Sequence, residues 1–106
     1  MKQYSFIDKE EIEINCYKWE SKEKNIKGVV QIVHGMTEHA LRYDFFARKL
    51  TEEGYIVYAH DHRGHGKTAL SKELFGYIAD DDGFNWMVSD VKEHLDLIKK
   101  ENEGLP

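Results

Sequence analysis

The sequence predicts an α/β fold made of an antiparallel hairpin followed by two parallel strands with crossover helices. Residues 3–7 and 12–19 alternate and favour β structure on either side of a charged stretch. Two short apolar runs, at 29–33 and 55–59, stand one amphipathic helical segment apart. A second amphipathic segment follows at 84–98.

The elements follow in order. Asp8 to Glu11 connect the two hairpin strands, and Cys16 lies on the second. As the only cysteine it excludes an intrachain disulfide and any multi-cysteine zinc site, and a small buried strand side chain is its expected role. The polar connection 21–27 leads to Val29, Val30, Ile32 and Val33, a run suited to a strand buried on both faces of a parallel sheet. Tyr43, Phe46, Ala47 and Leu50 recur at helical spacing, and Gly54 supplies the stop. The strand at 55–59 closes on the polar, glycine-rich HDHRGHGKT. Strand, helix, strand implies a parallel pair with a right-handed crossover.

Residues 68–82 lack periodicity and read as an irregular connection marked by Gly76 and Asp80 to Gly83. Phe84, Met87, Val88, Val91, Leu95 and Ile98 then trace one face of a helix, with Lys92, Glu93, Asp96, Lys99 and Lys100 on the other. Gly104 ends it. Leu105 and Pro106 read as the approach to another strand, because a crossover helix needs a parallel strand to receive it. Residues 1–106 are therefore expected to be a fragment of a single domain, stopping within a structural unit.

A net charge of -5 would repel phosphate backbones and anionic headgroups, so nucleic acid is not an expected partner. The charged N-terminus lacks an apolar run, so no signal peptide or transmembrane segment is expected and the cytoplasm is the default location.

Two segments carry the chemistry, VVQIVHGMTEHALRY at 29–43 and GYIVYAHDHRGHGKT at 54–68. A strand followed by H-G-x-x-E-H-x-x-R-Y, then a strand followed by D-x-R-G-H-G, resembles the monoacylglycerol lipase, lysophospholipase and serine aminopeptidase-like branch of the α/β-hydrolases. The resemblance covers essentially the whole chain. It departs from the family at Lys67-Thr68, where a Ser usually follows the last Gly. It implies the N-terminal part of an α/β-hydrolase fold, truncated before the nucleophile strand, from a serine ester hydrolase acting on small carboxylic esters or lipids, with no cofactor.

Acyl transfer needs two rigid backbone N–H donors aimed at the oxygen that becomes negative in the tetrahedral intermediate. The resemblance assigns one of them to Met36, with Gly35 letting the chain turn without a Cβ in the way. The alternative is an ordinary strand-to-helix loop. His34, Gly35, Glu38 and Arg42 would support this loop. Glu38 and Arg42 stand four apart and can pair, either to steady the loop or as a solvated surface pair. His34 and His39 are not read as the general base, which the family draws from near its C-terminus. Asp61, Arg63, Gly64, His65 and Gly66 shape the floor, Arg63 pairing with an acid such as Asp90. Ser5, Ser21, Ser71 and Ser89 all lack the flanking glycines of G-x-S-x-G, so no nucleophile is expected in this chain.

Two other readings compete. His60 and His62, at i and i+2 on a strand, with His65 nearby, could grip zinc in a metallohydrolase. The aspartate between them and the glycines that match the serine-hydrolase loop argue against it, so no metal ligand is assigned. The chain could also be a stand-alone non-catalytic module. The family's strand order implies that the strand from Tyr55 inserts between the hairpin and the strand from Gly28, with the helices on opposite faces and the switch point beside His34. The strand at 29–33 would then be an open edge, so the chain is expected to self-associate or to need the rest of its hydrolase.

Overall fold

The computed structural model describes residues 1–35, 39–63 and 83–106. Strands β1 (Lys2–Ile7) and β2 (Glu13–Trp19) form the hairpin, with Lys2 opposite Lys18 and Ile7 opposite Glu13. Its turn is built by Asp8, whose Oδ1 accepts from the N–H groups of Glu10 and Ile12, both at 2.9 Å. β3 (Gly28–Val33) is followed by a 3-10 turn (Ala40–Tyr43) and helix α1 (Asp44–Glu52). β4 (Tyr55–His60) pairs parallel with β3 and antiparallel with β2. The sheet order is β1-β2-β4-β3, with β4 inserted between the hairpin and β3 as the resemblance implies. Helix α2 spans Gly83–Glu101.

Strand periodicity separates the two faces. Tyr17 and Trp19 of β2 and Val57 and Ala59 of β4 pack with Ala40 and Ala47, so α1 covers one face. Trp19 Nε1–H donates to Asp44 Oδ1 at 2.9 Å, fixing the start of α1 against β2. Gly54 follows α1 with φ +97°, and its N–H donates to the Thr51 carbonyl, so the expected stop is a left-handed glycine.

On the opposite face Lys18, Tyr58 and His60 meet α2 through Glu101, Asn102 and His94. Gln31 of β3 reaches the Val91 carbonyl at 3.3 Å. The two helices therefore lie on opposite faces, as right-handed crossovers in opposite directions require. Cys16 is fully buried, and burial pushes its thiol pKa up, in keeping with an inert core position.

Three packing expectations are corrected. β3 is only partly buried, and Val33 is 48% exposed, because β3 is the outer strand of the described sheet. Phe46 is 54% exposed, so α1 buries Ala47 and half-buries Leu50 while the bulkier ring faces away. The buried stripe of α2 is Asp90, His94 and Ile98, and Val88 is exposed. The helix is rotated to bring polar side chains inward because Arg63, His60 and Tyr4 await them.

Past α2, the Pro106 carbonyl accepts the Val29 N–H at 2.8 Å. This contact lies on the edge of β3 away from β4, where a next parallel strand would run. Gly28 permits the approach, since a Cβ there would lie 3.0 Å from the Pro106 oxygen.

Candidate active site

The site expected from sequence lies at the C-terminal ends of β3 and β4, where open parallel sheets place their ligands. Among the residues named for it, Met36, Glu38, Gly64, His65 and Gly66 lie outside the described residues. Of the remaining ones, His34, Gly35, Asp61 and Arg63 lie at the adjoining ends of β3 and β4, and Arg42 lies on the 3-10 turn. The β3–β4 ladder ends at Val33 opposite His60, and the chain leaves as His34-Gly35 on one strand and Asp61-His62-Arg63 on the other.

His34 and His62 join these ends reciprocally. The His62 N–H donates to His34 Nε2, and His62 Nε2–H donates to the His34 carbonyl, both at 2.9 Å. Because a carbonyl only accepts, His34 carries its proton on Nδ1, which donates to the Gly35 oxygen at 2.7 Å. Its Nε2 is thereby the bare nitrogen that the His62 N–H needs. The two rings stand 4.2 Å apart and both residues are buried. These contacts make His34 a structural ligand of the neighbouring backbone.

Asp61 is 1% exposed. Its Oδ1 accepts from the Ala40 N–H at 2.7 Å, and Oδ2 from Asn15 Nδ2 at 2.9 Å. Its own N–H donates to the Asn15 carbonyl at 2.9 Å, continuing the β2–β4 ladder by one residue. Asn15 Oδ1 in turn accepts from Gln3 Nε2 at 2.6 Å. Ala40 opens the 3-10 turn after an extended His39, so its N–H is one of the donors that a helical turn leaves unfilled. The carboxylate acts as a capping group delivered from another strand.

Arg63, also 1% exposed, gathers three acids. Nε donates to Asp90 Oδ2 at 2.7 Å, and the terminal nitrogens meet Asp8 and Glu10 of the hairpin turn. Its guanidinium carbon lies 5.1 Å from the Trp86 ring centroid. Burial, then the neighbouring Asp8 carboxyl, pushes Asp90 up to about 7. Burial would raise Asp8 as well, but hydrogen bonds from Asp90, the Ile12 and Glu10 amides and Arg63 hold it below the usual range. Arg42, by contrast, is exposed on the 3-10 turn, where its N–H donates to the His39 carbonyl at 3.2 Å.

His60 belongs to a different cluster. Its Nδ1 lies 2.9 Å from His94 Nδ1, and His94 Nε2 reaches the Tyr4 hydroxyl at 2.5 Å. His60 and His62 thus have ring nitrogens committed to different partners, His94 and the His34 carbonyl. Among the described residues no group of three or more His, Cys, Asp or Glu side chains could hold a metal ion.

The profile of the family described as serine aminopeptidase, S33 matches residues 24–106. The chain belongs to this hydrolase family. It is 38% identical over 80 residues to a monoglyceride lipase homolog of Monkeypox virus, covering 76% of this chain and 27% of that protein. Human monoglyceride lipase is 36% identical over 80 residues, covering 76% of this chain and 24% of the relative. A thermostable carboxyl esterase from Bacillus coagulans superposes with a TM-score of 0.88 at 29% identity, over 99% of this chain and 34% of that one. The chain is an N-terminal part of a monoglyceride-lipase-like α/β-hydrolase fold and spans about a quarter of the length of these curated relatives.

Sequence reasoning missed Asn15, Asp8, Glu10, Trp86 and His94. Trp86, Asp90, His94 and Ile98 stand four apart each time and form a helical stripe, of whose polar members only Asp90 was given an inward partner from sequence.

Proposed function

We propose that this chain supplies the amino-terminal part of a serine ester hydrolase acting on monoacylglycerols, lysophospholipids or similar carboxylic esters. The Met36 N–H is one of its two oxyanion donors. The observation that carries the reading is the position of His34-Gly35. It leaves the C-terminal end of β3 with both backbone and ring of His34 held by His62, which supports a fixed exit from the strand just before the proposed donor. The relatives being monoglyceride lipases and esterases supports the ester class.

The division of labour follows from chemistry. A serine outside this chain attacks the ester carbonyl, the oxygen takes up negative charge, and the Met36 N–H donates to it; collapse expels the alcohol and leaves an acyl-enzyme for water to cleave. Gly35 keeps side-chain bulk away from the reacting oxygen. The serine's proton passes to the family's histidine, which is read as lying outside this chain, and from it to the departing alcohol. Among the described residues no helix is long and apolar enough to cross a membrane.

Alone, the chain has no nucleophile and hydrolyses nothing. The half-buried β3, with Val33 and Phe46 exposed, supports association with the rest of the hydrolase or with a second copy. The test is monoacylglycerol hydrolysis by the 106-residue chain and by the same chain completed with the rest of a family hydrolase, G-x-S-x-G, acid and histidine included. The extended protein turns over the ester and is labelled at one serine by a fluorophosphonate, and the short chain does neither. Turnover or serine labelling by the short chain overturns the reading, as does an extended protein inert towards esters.

A further inference from the structure

Asp61 and His62 are adjacent, buried and follow the same strand, yet they hold opposite ends of one loop. His62 engages the His34 ring and carbonyl, where the loop leaves β3. Asp61 accepts the Ala40 N–H, where the loop enters the 3-10 turn. Between them lie Met36, Thr37 and Glu38.

We propose that Asp61 and His62 are positioning residues that clamp both ends of the oxyanion loop from the neighbouring strand. This rests on the reading of Met36 as an oxyanion donor and names what holds that donor in place. The chemistry requires such a device. A donor contributes to catalysis only if it is already aimed when charge develops, and a loop joined to the sheet at one end alone would have to be ordered during the reaction.

The clamp is itself anchored. Gln3 Nε2 donates to Asn15 Oδ1, Asn15 Nδ2 donates to Asp61 Oδ2, and Asp61 Oδ1 takes the Ala40 N–H, a line of three hydrogen bonds at 2.6, 2.9 and 2.7 Å. The line runs from β1 across β2 and the end of β4 to the loop. Gln3 meets Asn15 Oδ1, and Asn15 and the Ala40 N–H meet the two Asp61 oxygens, so removing the Asp61 carboxylate takes away the acceptor that the line gives Ala40. Asp61 has a carboxylate because both its oxygens must accept. An asparagine there would turn an N–H₂ towards either Ala40 N–H or Asn15 Nδ2 unless the Asn15 and Gln3 amides both turned over.

That asymmetry supplies the test. Exchanging the two residues keeps the three hydrogen bonds of the line. With Asn15→Asp and Asp61→Asn together, Asp at 15 accepts from Gln3 and from the new amide, whose oxygen still accepts from Ala40. Amide exchange and ¹H–¹⁵N shifts of the full 106-residue chain are measured for the wild type, Asp61→Ala, Asp61→Asn and the exchanged pair.

Asp61→Ala is expected to speed Ala40 amide exchange by about tenfold or more and to move the Met36 amide resonance, and Asp61→Asn, which keeps an acceptor for Ala40 when the Asn15 and Gln3 amides turn over, to do so less. Tyr17 and Val57 in the sheet core stay protected, and the exchanged pair restores the Ala40 and Met36 signals. Unchanged Ala40 exchange in Asp61→Ala overturns the clamp, and an unmoved Met36 resonance overturns its positioning role. If Asp61→Ala unfolds the sheet, the exchanged pair decides: recovery of Ala40 protection supports the proposal and its absence sinks it. Neither readout involves ester turnover, so failure of the clamp and failure of the ester-hydrolase reading register separately.

Discussion

The Arg63 guanidinium donates through Nε to Asp90 Oδ2 at 2.7 Å, joining the loop after β4 to the inner face of α2. The same side chain reaches Asp8 and Glu10, so three separate segments meet on one buried cation. Replacing it leaves Asp8 and Asp90 buried without their counter-charge, a change that costs about 3–5 kcal/mol in buried pairs. Arg63→Met is therefore expected to lower the urea midpoint by that equivalent at pH 7. A loss under about 1 kcal/mol would show that the cluster does not hold α2 to the hairpin.

The Arg63–Asp90 pairing was legible in sequence, because an arginine just past a strand and an aspartate early on the next helix are brought together by a crossover. Strand order was legible through the resemblance alone, since nothing in the apolar runs says which strand inserts beside which. The depth of β3 and the outward turn of Phe46 were not legible, because periodicity reports which face is apolar and not whether anything covers it. The inward polar stripe of α2 failed for a related reason. Asp90 and His94 are buried only because Arg63, His60 and Tyr4, distant in sequence, pair with them. The Asp61–Ala40 cap was hidden likewise: it joins positions 21 apart through a single backbone N–H.

The buried histidine pair makes stability depend on pH. Burial, then the facing histidines, holds His60 well below its ordinary pKa, and burial lowers His94 to about 4 against an opposing pull from Glu101. Both are neutral when folded and protonate near 6.5 when unfolded, so their contribution is complete above 6.5 and is lost as pH falls towards 4. Asp90, raised to about 7, runs the other way between 7 and its unfolded value. Comparing wild type with His94→Gln removes one histidine of the pair and its effect on the other. The stability difference should shift against the wild type by up to about 1.4 kcal/mol per pH unit between pH 6.5 and 4. A difference that is flat with pH would show that His94 binds its proton equally well in the folded and the unfolded chain.

The outer edge of β3 should govern association. The Val29 N–H already meets the Pro106 carbonyl, and strand periodicity turns the N–H groups of Gln31 and Val33 the same way. Light scattering of the 106-residue chain is expected to show concentration-dependent self-association that Val33→Lys reduces. A stable monomer at high concentration, with freely exchanging β3 amides, would contradict this.

The oxyanion assignment is tested most directly in the longer hydrolase, by recording the Met36 amide before and after a phosphonate is attached to its nucleophilic serine. The phosphoryl oxygen occupies the place of the tetrahedral oxyanion. The Met36 amide proton is expected to move downfield and its exchange to slow once labelling is stoichiometric. A Met36 resonance that stays where it was, with the label fully attached, would show that the loop after β3 does not donate to the reacting oxygen.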